Sequence, residues 1–459
     1  MNSSNYFEEA PTEHRHAVPI KGRSTQIQPQ PFKEAASEVG RMPVTAVVGA
    51  QWGDEGKGRV IDYLASKADI VIRFQGGNNA GHTVVNNLGT FRLHLIPSGI
   101  FYPQVRCIMG AGTAIDPTSL LDEMAELERS GVNVSNLWID RRAHVVWPYH
   151  RLLDGARDKD SKLGTTRRGI GPVYGDKAAY RGIRMGDLLH PQFLRQRLEL
   201  VLPIKNHEMA FYGIPALQLE ELLAQADQWR EKLSSRIVDS VPILRDAVKS
   251  GKRVLLEGQL GVMRDLDWGI YPYSTASSPT AGGACTGAGI SPRYLDEIVG
   301  IVKAYSTSVG GGPFPTELFD EDGEQLRKVG DEYGATTKRP RRCGWLDVVT
   351  VRYAAWLNGL TAIAVTKLDV LDSFDRIKIC TAYRAGDETL TEVPDTVTQG
   401  QVQPIYEEWR GWKSPTTGAR SWNDLPSAAQ AYLKRMEELV GVPIRYVSVG
   451  PRREQMICL

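Results

Sequence analysis

The stretch that decides the fold is residues 44–59, VTAVVGAQWGDEGKGR. It starts with an apolar, β-branched run from Val44 to Val48, which predicts a buried strand. A glycine-rich loop follows, and the run RVIDYLASKA then has the pattern of a helix. A strand, a glycine-rich loop and a helix N-terminus present several backbone N–H groups to one point. The stretch therefore predicts a polyphosphate site, with an ordinary tight turn as the competing interpretation.

This loop differs from the standard phosphate-binding loop, G-x-x-x-x-G-K-[ST]. Gln51 replaces the first glycine of that pattern, and Gly58 replaces its hydroxyl residue. The loop also carries an acid, Asp54, and a base, Lys57. Because simple phosphate binding does not need a carboxylate, we expect this loop to take part in chemistry as well as in binding.

From Pro43 onward, short apolar runs alternate with helical patterns. This alternation predicts an α/β fold with a large, mostly parallel central sheet flanked by helices. The predicted strands are 44–49, 69–74, 106–110, 135–140, 253–257, 298–305, 361–366 and 443–449.

Helical periodicity marks residues 120–131 and 217–251, and a last helix is predicted to end at Gly441. We expect a helical insertion at about 183–251. Without a clean linker after the tail, residues 43–459 are expected to form one large domain with helical and loop subdomains.

Composition excludes several classes of protein. The chain has 459 residues, a net charge of +1 and 24% charged residues, which points to neither a nucleic-acid nor a membrane-surface partner. Its five cysteines are scattered without CxxC spacing, which favours a reducing compartment, the cytoplasm. No apolar run approaches 18 residues, so no membrane span is expected. The polar segment 1–42 lacks the apolar core of a secretory signal and is expected to be a disordered tail.

Two further loops follow predicted strands. QGGNNAGHT, residues 75–83, holds side-chain amides and His82, which can serve as a general acid. TKLD contains Lys367 and Asp369, an order that suits guanine, since a carboxylate can accept from its N1–H and exocyclic amine. A structural histidine and a surface turn are the alternatives.

Two basic loops are further candidates for ligand-binding sites. GATTKRPRRCGW, residues 334–345, favours a loop that clamps a dicarboxylate, because arginine forks grip carboxylates bidentately. Residues 164–184, GTTRRGIGPVYGDKAAYRGIR, have phosphate-binding character. A solvated basic surface is the competing interpretation of both.

These five stretches and two further motifs together resemble the adenylosuccinate synthetase family across residues 43–459. They occur in the family's order: QWGDEGKG, QGGNNAGHT, LHLIPSGI, GTT-x-RGIGP, GPFPTEL, GATT-x-R-x-RR-x-GWLD and TKLDVLD. The resemblance implies a P-loop-like GTP-binding architecture and ligation of L-aspartate to the 6-oxo position of IMP. It also implies GTP as co-substrate, Mg²⁺ as cofactor, a 6-phosphoryl intermediate and a homodimer, with no nucleic acid or membrane as partner.

Residue roles follow from the same resemblance. Asp54 resembles the base that also binds Mg²⁺, His82 the acid, and the Gly81 carbonyl a second Mg²⁺ ligand. The positions that match GTP contacts are Gly53, Glu55, Gly56, Lys57, Gly58, Lys367, Asp369, Ser448, Gly450 and Pro451. The positions that match IMP contacts are Asn79, Thr166 and Thr275, with Arg181 and Gln259 as candidates, and those that match the aspartate loop are Thr337, Arg339 and Arg341.

The departures from the family's pattern concentrate at the acceptor. Leu260 occupies the place of a glutamine that contacts IMP, Tyr180 that of an arginine which crosses the dimer, and Ser308 that of another arginine. Lys338 replaces a glycine of the aspartate loop, and Arg264 replaces an apolar residue.

These departures leave three hypotheses open. The first is an ordinary adenylosuccinate synthetase. The second is a divergent ligase that joins aspartate to another oxo-purine-like nucleotide or nucleoside. The third is a non-catalytic GTP-binding regulator, which the retention of Asp54 and His82 disfavours.

Overall fold

The computed structural model describes residues 44–79, 81–86, 88–161, 165–334 and 339–459, with the backbone alone at 160 and 161. The strands are β1 Val44–Gly49, β2 Ile70–Arg73, β3 His82–Asn86, β4 Gly89–Leu93, β5 Arg106–Met109, β6 Ala114–Ile115, β7 Leu137–Asp140, β8 His144–Val145, β9 Ile237–Val238, β10 Val254–Glu257, β11 Leu295–Lys303, β12 Ser306–Ser308, β13 Arg342–Gly344, β14 Leu346–Asp347, β15 Ala362–Thr366, β16 Arg376–Ala385, β17 Glu388–Leu390, β18 Gln403–Arg410, β19 Ile444–Ser448 and β20 Met456–Cys458. The α-helices are α1 Lys57–Ala65, α2 Pro117–Arg129, α3 Pro148–Ser161, α4 Ile170–Ala178, α5 Pro191–Phe211, α6 Leu219–Leu233, α7 Ser240–Lys249, α8 Ala281–Ala288, α9 Glu321–Val329, α10 Val348–Asn358, α11 Thr396–Gln399 and α12 Ser427–Val440.

A ten-stranded sheet forms the centre, in the order β20-β19-β15-β11-β1-β10-β2-β5-β7-β9. Its pairings are parallel except for that of β19 with β20. Every residue of β1 is buried, as expected for a parallel strand covered by helices on both faces. The predicted fold class, α/β with a mostly parallel sheet, is confirmed.

Each predicted strand is present in this sheet within a few residues of its predicted bounds. The predicted C-terminal helix is α12, and Gly441 closes it with a φ of 73°. The helical stretch 217–251 is divided, because a 3₁₀ turn and the short strand β9 separate α6 from α7. The division into a tail, one domain and a helical insertion stays a prediction, since residues 1–43 lie outside the described part of the chain.

A second sheet was not predicted. It joins β14, β16 and β17, and β18 pairs antiparallel with β16. Among the described residues, no helix is long and apolar enough to cross a membrane.

The parallel sheet determines where the functional loops meet. The strands β19, β15, β11, β1, β10 and β2 are neighbours and run in the same direction. Ligands of open α/β sheets bind outside the carboxyl ends of such strands. The loops that follow these strands contain most of the residues singled out from the sequence.

Candidate active site

The loop after β1 is held together by a buried carboxylate. Glu55 is fully buried, and its Oε1 accepts from the N–H groups of Gln51 at 3.1 Å and Gly53 at 2.9 Å. Its Oε2 pairs with the ammonium of Lys57. Glu55 thus supports the loop through its carboxylate and keeps Lys57 at the helix N-terminus, where an anion would bind.

The two departures from the phosphate-binding-loop pattern have structural reasons. The Gln51 amide donates to the Tyr305 carbonyl at 3.1 Å and accepts from the Lys303 N–H at 2.9 Å, which ties the loop to the end of β11. A Cβ atom on Gly58 would lie 2.9 Å from the carbonyl oxygen of Thr83 and 3.4 Å from Cβ of His82. A serine at 58 would therefore collide with β3, and the glycine lets the loop lie directly against the strand that carries His82.

His82 is paired with a buried carboxylate from β10. Its Nδ1 lies 2.6 Å from Oε1 of Glu257, and Ser98 donates to the same carboxylate from its backbone N–H at 2.8 Å. Burial lowers the pKa of His82, while hydrogen bonding from His82 and Ser98 holds the pKa of Glu257 below its usual value. The stable arrangement is an ionised Glu257 that accepts from a neutral imidazole, and this fixes the proton on Nδ1 and leaves Nε2 to face a ligand.

Asp54 lies where the β1 loop meets the basic loop. It adopts a left-handed backbone conformation with a φ of 57°, which is costly for a non-glycine residue. Its side chain is 35% exposed, and Oδ2 lies 3.0 Å from Nε of Arg341. The strain and the accessibility of this carboxylate are typical of a residue positioned for function.

Glu332, which is fully buried, connects this pair to the neighbouring strand ends. One of its oxygens accepts from the ammonium groups of Lys303 and Lys367, both at 2.8 Å, and the other accepts from Arg341 at 2.7 Å. These cations lower the pKa of Glu332 well below its usual value despite burial. Asp54, Arg341, Glu332 and Lys367 thus form one continuous network across the site.

The predicted guanine position holds an unsatisfied acceptor. Oδ1 of Asp369 is buried and, among the described residues, has no hydrogen-bond partner. Burial raises the pKa of this carboxyl group. Lys367, two residues earlier, has a φ of 55°, a second strained non-glycine position. A base with adjacent N–H donors would satisfy the Asp369 oxygen.

The C-terminal residues shape the neighbouring turn. The Ser448 hydroxyl donates to the Gly450 carbonyl at 3.0 Å, and a Cβ on Gly450 would collide with Gln455. Pro451 is exposed at the same turn. This turn follows β19, so it lies at the same edge of the sheet as Asp369.

On the acceptor side, Gln259 contacts Asn79. Its amide nitrogen donates to Oδ1 of Asn79 at 3.2 Å, and its amide oxygen accepts from Arg73. The backbone at Leu260 has a φ of 62°. The Gly77 N–H also donates to Oδ1 of Asn79, at 3.2 Å, so the Asn79 amide nitrogen is the group left for a ligand. Gln259 therefore lies at the acceptor loop, although the expected glutamine position is one residue later.

The structure places the other predicted acceptor residues in separate parts of the chain. The Thr275 N–H donates to the Arg264 carbonyl at 2.8 Å, and Thr166 is exposed ahead of α4. Tyr180 is 90% exposed, and Arg181 lies 3.8 Å from Glu208. Within one chain, Tyr180 and Arg181 thus lie at the surface after α4.

Part of the predicted aspartate site lies outside the described residues. Thr337 and Lys338 lie outside the described residues, whereas Arg339 accepts from the Gly334 N–H through its carbonyl at 2.8 Å. No group of three or more histidine, cysteine or acidic side chains that could hold a metal is present in the described part of the chain.

Two carboxylates of the site were missed by sequence reasoning. Glu257 ends a predicted strand just before a glycine-rich loop, which is the signal that could have singled it out. Glu332 precedes the basic loop, but its partners are separated from it by 9 to 35 positions, so no local pattern reveals them.

Comparison with known proteins identifies the family. A sequence model described as adenylosuccinate synthetase matches residues 46–457. The adenylosuccinate synthetase of Heliobacterium modesticaldum is 51% identical over 421 residues, covering 91% of this chain and 99% of that protein. That of Carboxydothermus hydrogenoformans is 50% identical over 423 residues, with the same coverage.

A solved structure supports the same family. The fully ligated adenylosuccinate synthetase of Plasmodium falciparum superposes with a TM-score of 0.85 at 38% identity, covering 91% of this chain and 99% of that chain. The succinoaminodeoxyadenylate synthetase of cyanophage S-2L has a TM-score of 0.58 at 19% identity, covering 91% and 95%, and shares the fold alone. The chain belongs to the adenylosuccinate synthetase family.

Proposed function

We propose that the chain uses GTP to ligate L-aspartate to the 6-oxo position of IMP, forming adenylosuccinate, GDP and phosphate. The observation that carries this proposal is the contact at Gly58, where the loop of Asp54 meets the strand that carries His82, the partner of Glu257. A potential base and a potential acid thereby share one end of a phosphate-type loop.

Asp54 acts first, as the base. Its carboxylate takes the N1 proton of the purine, the negative charge moves to O6, and O6 attacks the γ-phosphorus of GTP as GDP leaves. The Arg341 guanidinium, 3.0 Å away, keeps the carboxylate oriented. Asp369 selects guanine, because its buried oxygen needs N–H donors that adenine does not present at N1.

His82 stabilises the transfer. Glu257 holds its Nδ1–H, so Nε2 is directed to the ligand. Burial keeps the imidazole neutral in the free protein, and the negative γ-phosphoryl group favours its protonated form. The imidazolium then donates to the charge that develops on the phosphoryl group.

The second step joins aspartate. Its amine attacks C6, and the phosphate formed on O6 leaves. Arg339 and Arg341 bind the carboxylates of the incoming amino acid. Arg341 therefore serves both steps, since it contacts Asp54 and belongs to the aspartate-binding segment.

The residues fit a magnesium ion. Mg²⁺ binds through one or two carboxylates together with substrate phosphates, so it does not require a dedicated cluster of acids. Asp54, with a partly exposed carboxylate, and the Gly81 carbonyl would hold it beside the loop. When bound, the ion neutralises charge on the phosphates.

IMP is favoured as the acceptor because Asn79, at a position that matches an IMP contact, keeps its amide nitrogen for a ligand. Gln259 supplies an amide beside Asn79, one position before the expected glutamine. We further propose a cytoplasmic homodimer, in which the surface position of Tyr180 and Arg181 allows them to face the partner's acceptor.

A single assay tests the proposal. The purified chain is incubated with GTP, Mg²⁺ and L-aspartate, with and without IMP, while adenylosuccinate absorbance and phosphate release are followed. We expect equal, IMP-dependent formation of both products, and neither product with the matched variant Asp54→Asn. Turnover with inosine but not IMP would overturn the choice of acceptor, and GTP binding without any turnover would overturn the enzymatic assignment.

A further inference from the structure

The loop of residues 309–312 is held between two arginines. Its successive carbonyl groups alternate between them. Arg264 donates to the carbonyls of Val309 at 2.5 Å and Gly311 at 3.3 Å. Arg342 donates to those of Gly310 at 3.3 Å and Gly312 at 2.8 Å. The conformation of this loop therefore depends on both guanidinium groups.

The two arginines come from different parts of the fold. Arg342 lies in β13 and is fixed by Glu317, with Nε 2.9 Å from Oε1. Arg264 ends a 3₁₀ turn, Val262–Arg264, and only 8% of it is exposed. Its described partners are carbonyls and a hydroxyl rather than a carboxylate, so its burial is not explained by an ion pair.

Arg264 also occupies the space beside Ser308. Its Nη2 lies 2.8 Å from the Ser308 hydroxyl, which is itself buried. A longer side chain at 308 would meet this guanidinium, so the small serine and the large arginine are complementary. Burial and the charge of Arg342 lower the pKa of Arg264 to about 10, while Asp54 opposes the shift, and the group stays charged at neutral pH.

We propose that Arg264 is a positioning residue for the acceptor and aspartate sites. Its guanidinium replaces the one that the family's arginine would supply at position 308, where this chain has a serine. This proposal rests on the function proposed above. Through its carbonyl, Arg264 holds the Thr275 N–H at 2.8 Å, and through its side chain it holds the loop that Arg342 joins to the aspartate-binding segment. The GTP loop contacts the backbone of the same turn, where the Met263 N–H donates to the Gln51 carbonyl at 3.0 Å, but none of the described hydrogen bonds of the Arg264 side chain goes to that loop.

A pair of substitutions tests whether the guanidinium can be moved. Arg264→Leu removes it, Ser308→Arg adds a second one, and the double variant Arg264→Leu/Ser308→Arg returns a single arginine from the other side of the contact. The matched control is Arg236→Leu, because Arg236 also donates to two carbonyls, at 2.6 and 3.2 Å, but between β7 and β9.

We expect the KM values for the three substrates to change by different amounts. Arg264→Leu raises KM for IMP and aspartate by roughly 10–100-fold, the effect of losing charge-assisted hydrogen bonds, with KM for GTP nearly unchanged. Ser308→Arg alone is also impaired, because it places like charges together. The double variant recovers most of the loss, and Arg236→Leu changes no KM. Equal changes in all three KM values, or no recovery in the double variant, would overturn the proposal.

A second measurement does not require turnover. Hydrogen–deuterium exchange of the peptide covering 308–312 should be faster in Arg264→Leu and return toward the wild-type rate in the double variant. Unchanged exchange in Arg264→Leu would refute the positioning role whatever the activity. If the wild-type chain itself forms no adenylosuccinate, the proposed function fails, and the exchange data still decide whether Arg264 fixes this loop.

Discussion

Neutralising Glu332 tests whether the buried network is required for both stability and binding. In Glu332→Gln the carboxylate beside Lys303, Lys367 and Arg341 is lost, and Lys303, whose pKa burial already lowers to about 8, loses the partner that raises it. Because breaking a buried pair leaves uncompensated charge, we expect the free energy of unfolding to fall by about 3–5 kcal/mol. The matched control is Glu324→Gln on α9. Glu324 is 45% exposed and pairs with Arg327, so its loss should cost about 1 kcal/mol or less.

The pKa of Glu332 determines how the stability effect of this substitution changes with pH. The pKa of Glu332 lies well below 4.5 in the folded chain, so its stabilisation is fully present above pH 4.5 and is lost as the pH falls through the folded value. The difference in stability between wild type and Glu332→Gln should therefore shrink as the pH falls below 4.5. Urea denaturation followed by circular dichroism at several pH values measures it.

The same variant should show a kinetic effect at two substrates. Lys367 and Arg341 each lose a hydrogen bond to a charged group, which predicts KM values for GTP and aspartate raised by roughly 10-fold or more. If Glu332→Gln matches Glu324→Gln in stability, or if both KM values stay at the wild-type level, the network does not have the role assigned to it.

Three shorter predictions follow from single contacts. Gly58→Ser restores the phosphate-binding-loop consensus but places a Cβ atom 2.9 Å from a β3 carbonyl oxygen, so kcat should fall by roughly 10-fold or more, whereas Gly418→Ser, with nothing within 4 Å, should not change it. Gln259→Leu should raise KM for IMP by roughly 10-fold, because Asn79 loses its orienting hydrogen bond, and an unchanged KM would contradict the assignment. Burial lowers the pKa of His144 from 6.5 to about 3, so below pH 6.5 the unfolded chain binds a proton that the folded chain does not. The free energy of unfolding should therefore fall by about 1.4 kcal/mol for each unit by which the pH decreases. His144→Gln should remove that part of the slope in denaturation measured between pH 6.5 and 5.

The central sheet was predictable because its strands are buried on both faces and read as continuous apolar runs. The second sheet was not predictable, because its strand β18 lacks such a run. In β18, Gln403–Arg410, every residue is exposed or half-buried, and the strand contains Glu407 and Glu408, so no apolar run marks it. The short edge strands β9 and β20 contain two and three residues, too few for any periodicity.

The candidate site divides in the same way. Asp54, His82 and Asp369 were found because each lies in a segment that follows a predicted strand, although His82 itself begins β3, and parallel strands bring such segments to one edge. The charge network was not found, because Glu332 meets Lys303 and Lys367 only after the chain has folded. Sequence order therefore locates the loops, whereas tertiary packing decides which side chains within them meet.

The acceptor substitutions show why a mismatch at one aligned position is weak evidence for a changed substrate. A pocket selects functional groups at points in space, and neighbouring positions can supply the same group if the backbone permits it. Beside the left-handed backbone of Leu260, the Gln259 amide contacts Asn79, and the buried Arg264 guanidinium lies 2.8 Å from the Ser308 hydroxyl. Tyr180 differs, since its neighbour Arg181 lies at the surface of the chain, where a second subunit would have to meet it. We therefore propose that positions 260 and 308 are compensated within the chain, whereas any role of Tyr180 and Arg181 at the acceptor depends on the proposed dimer.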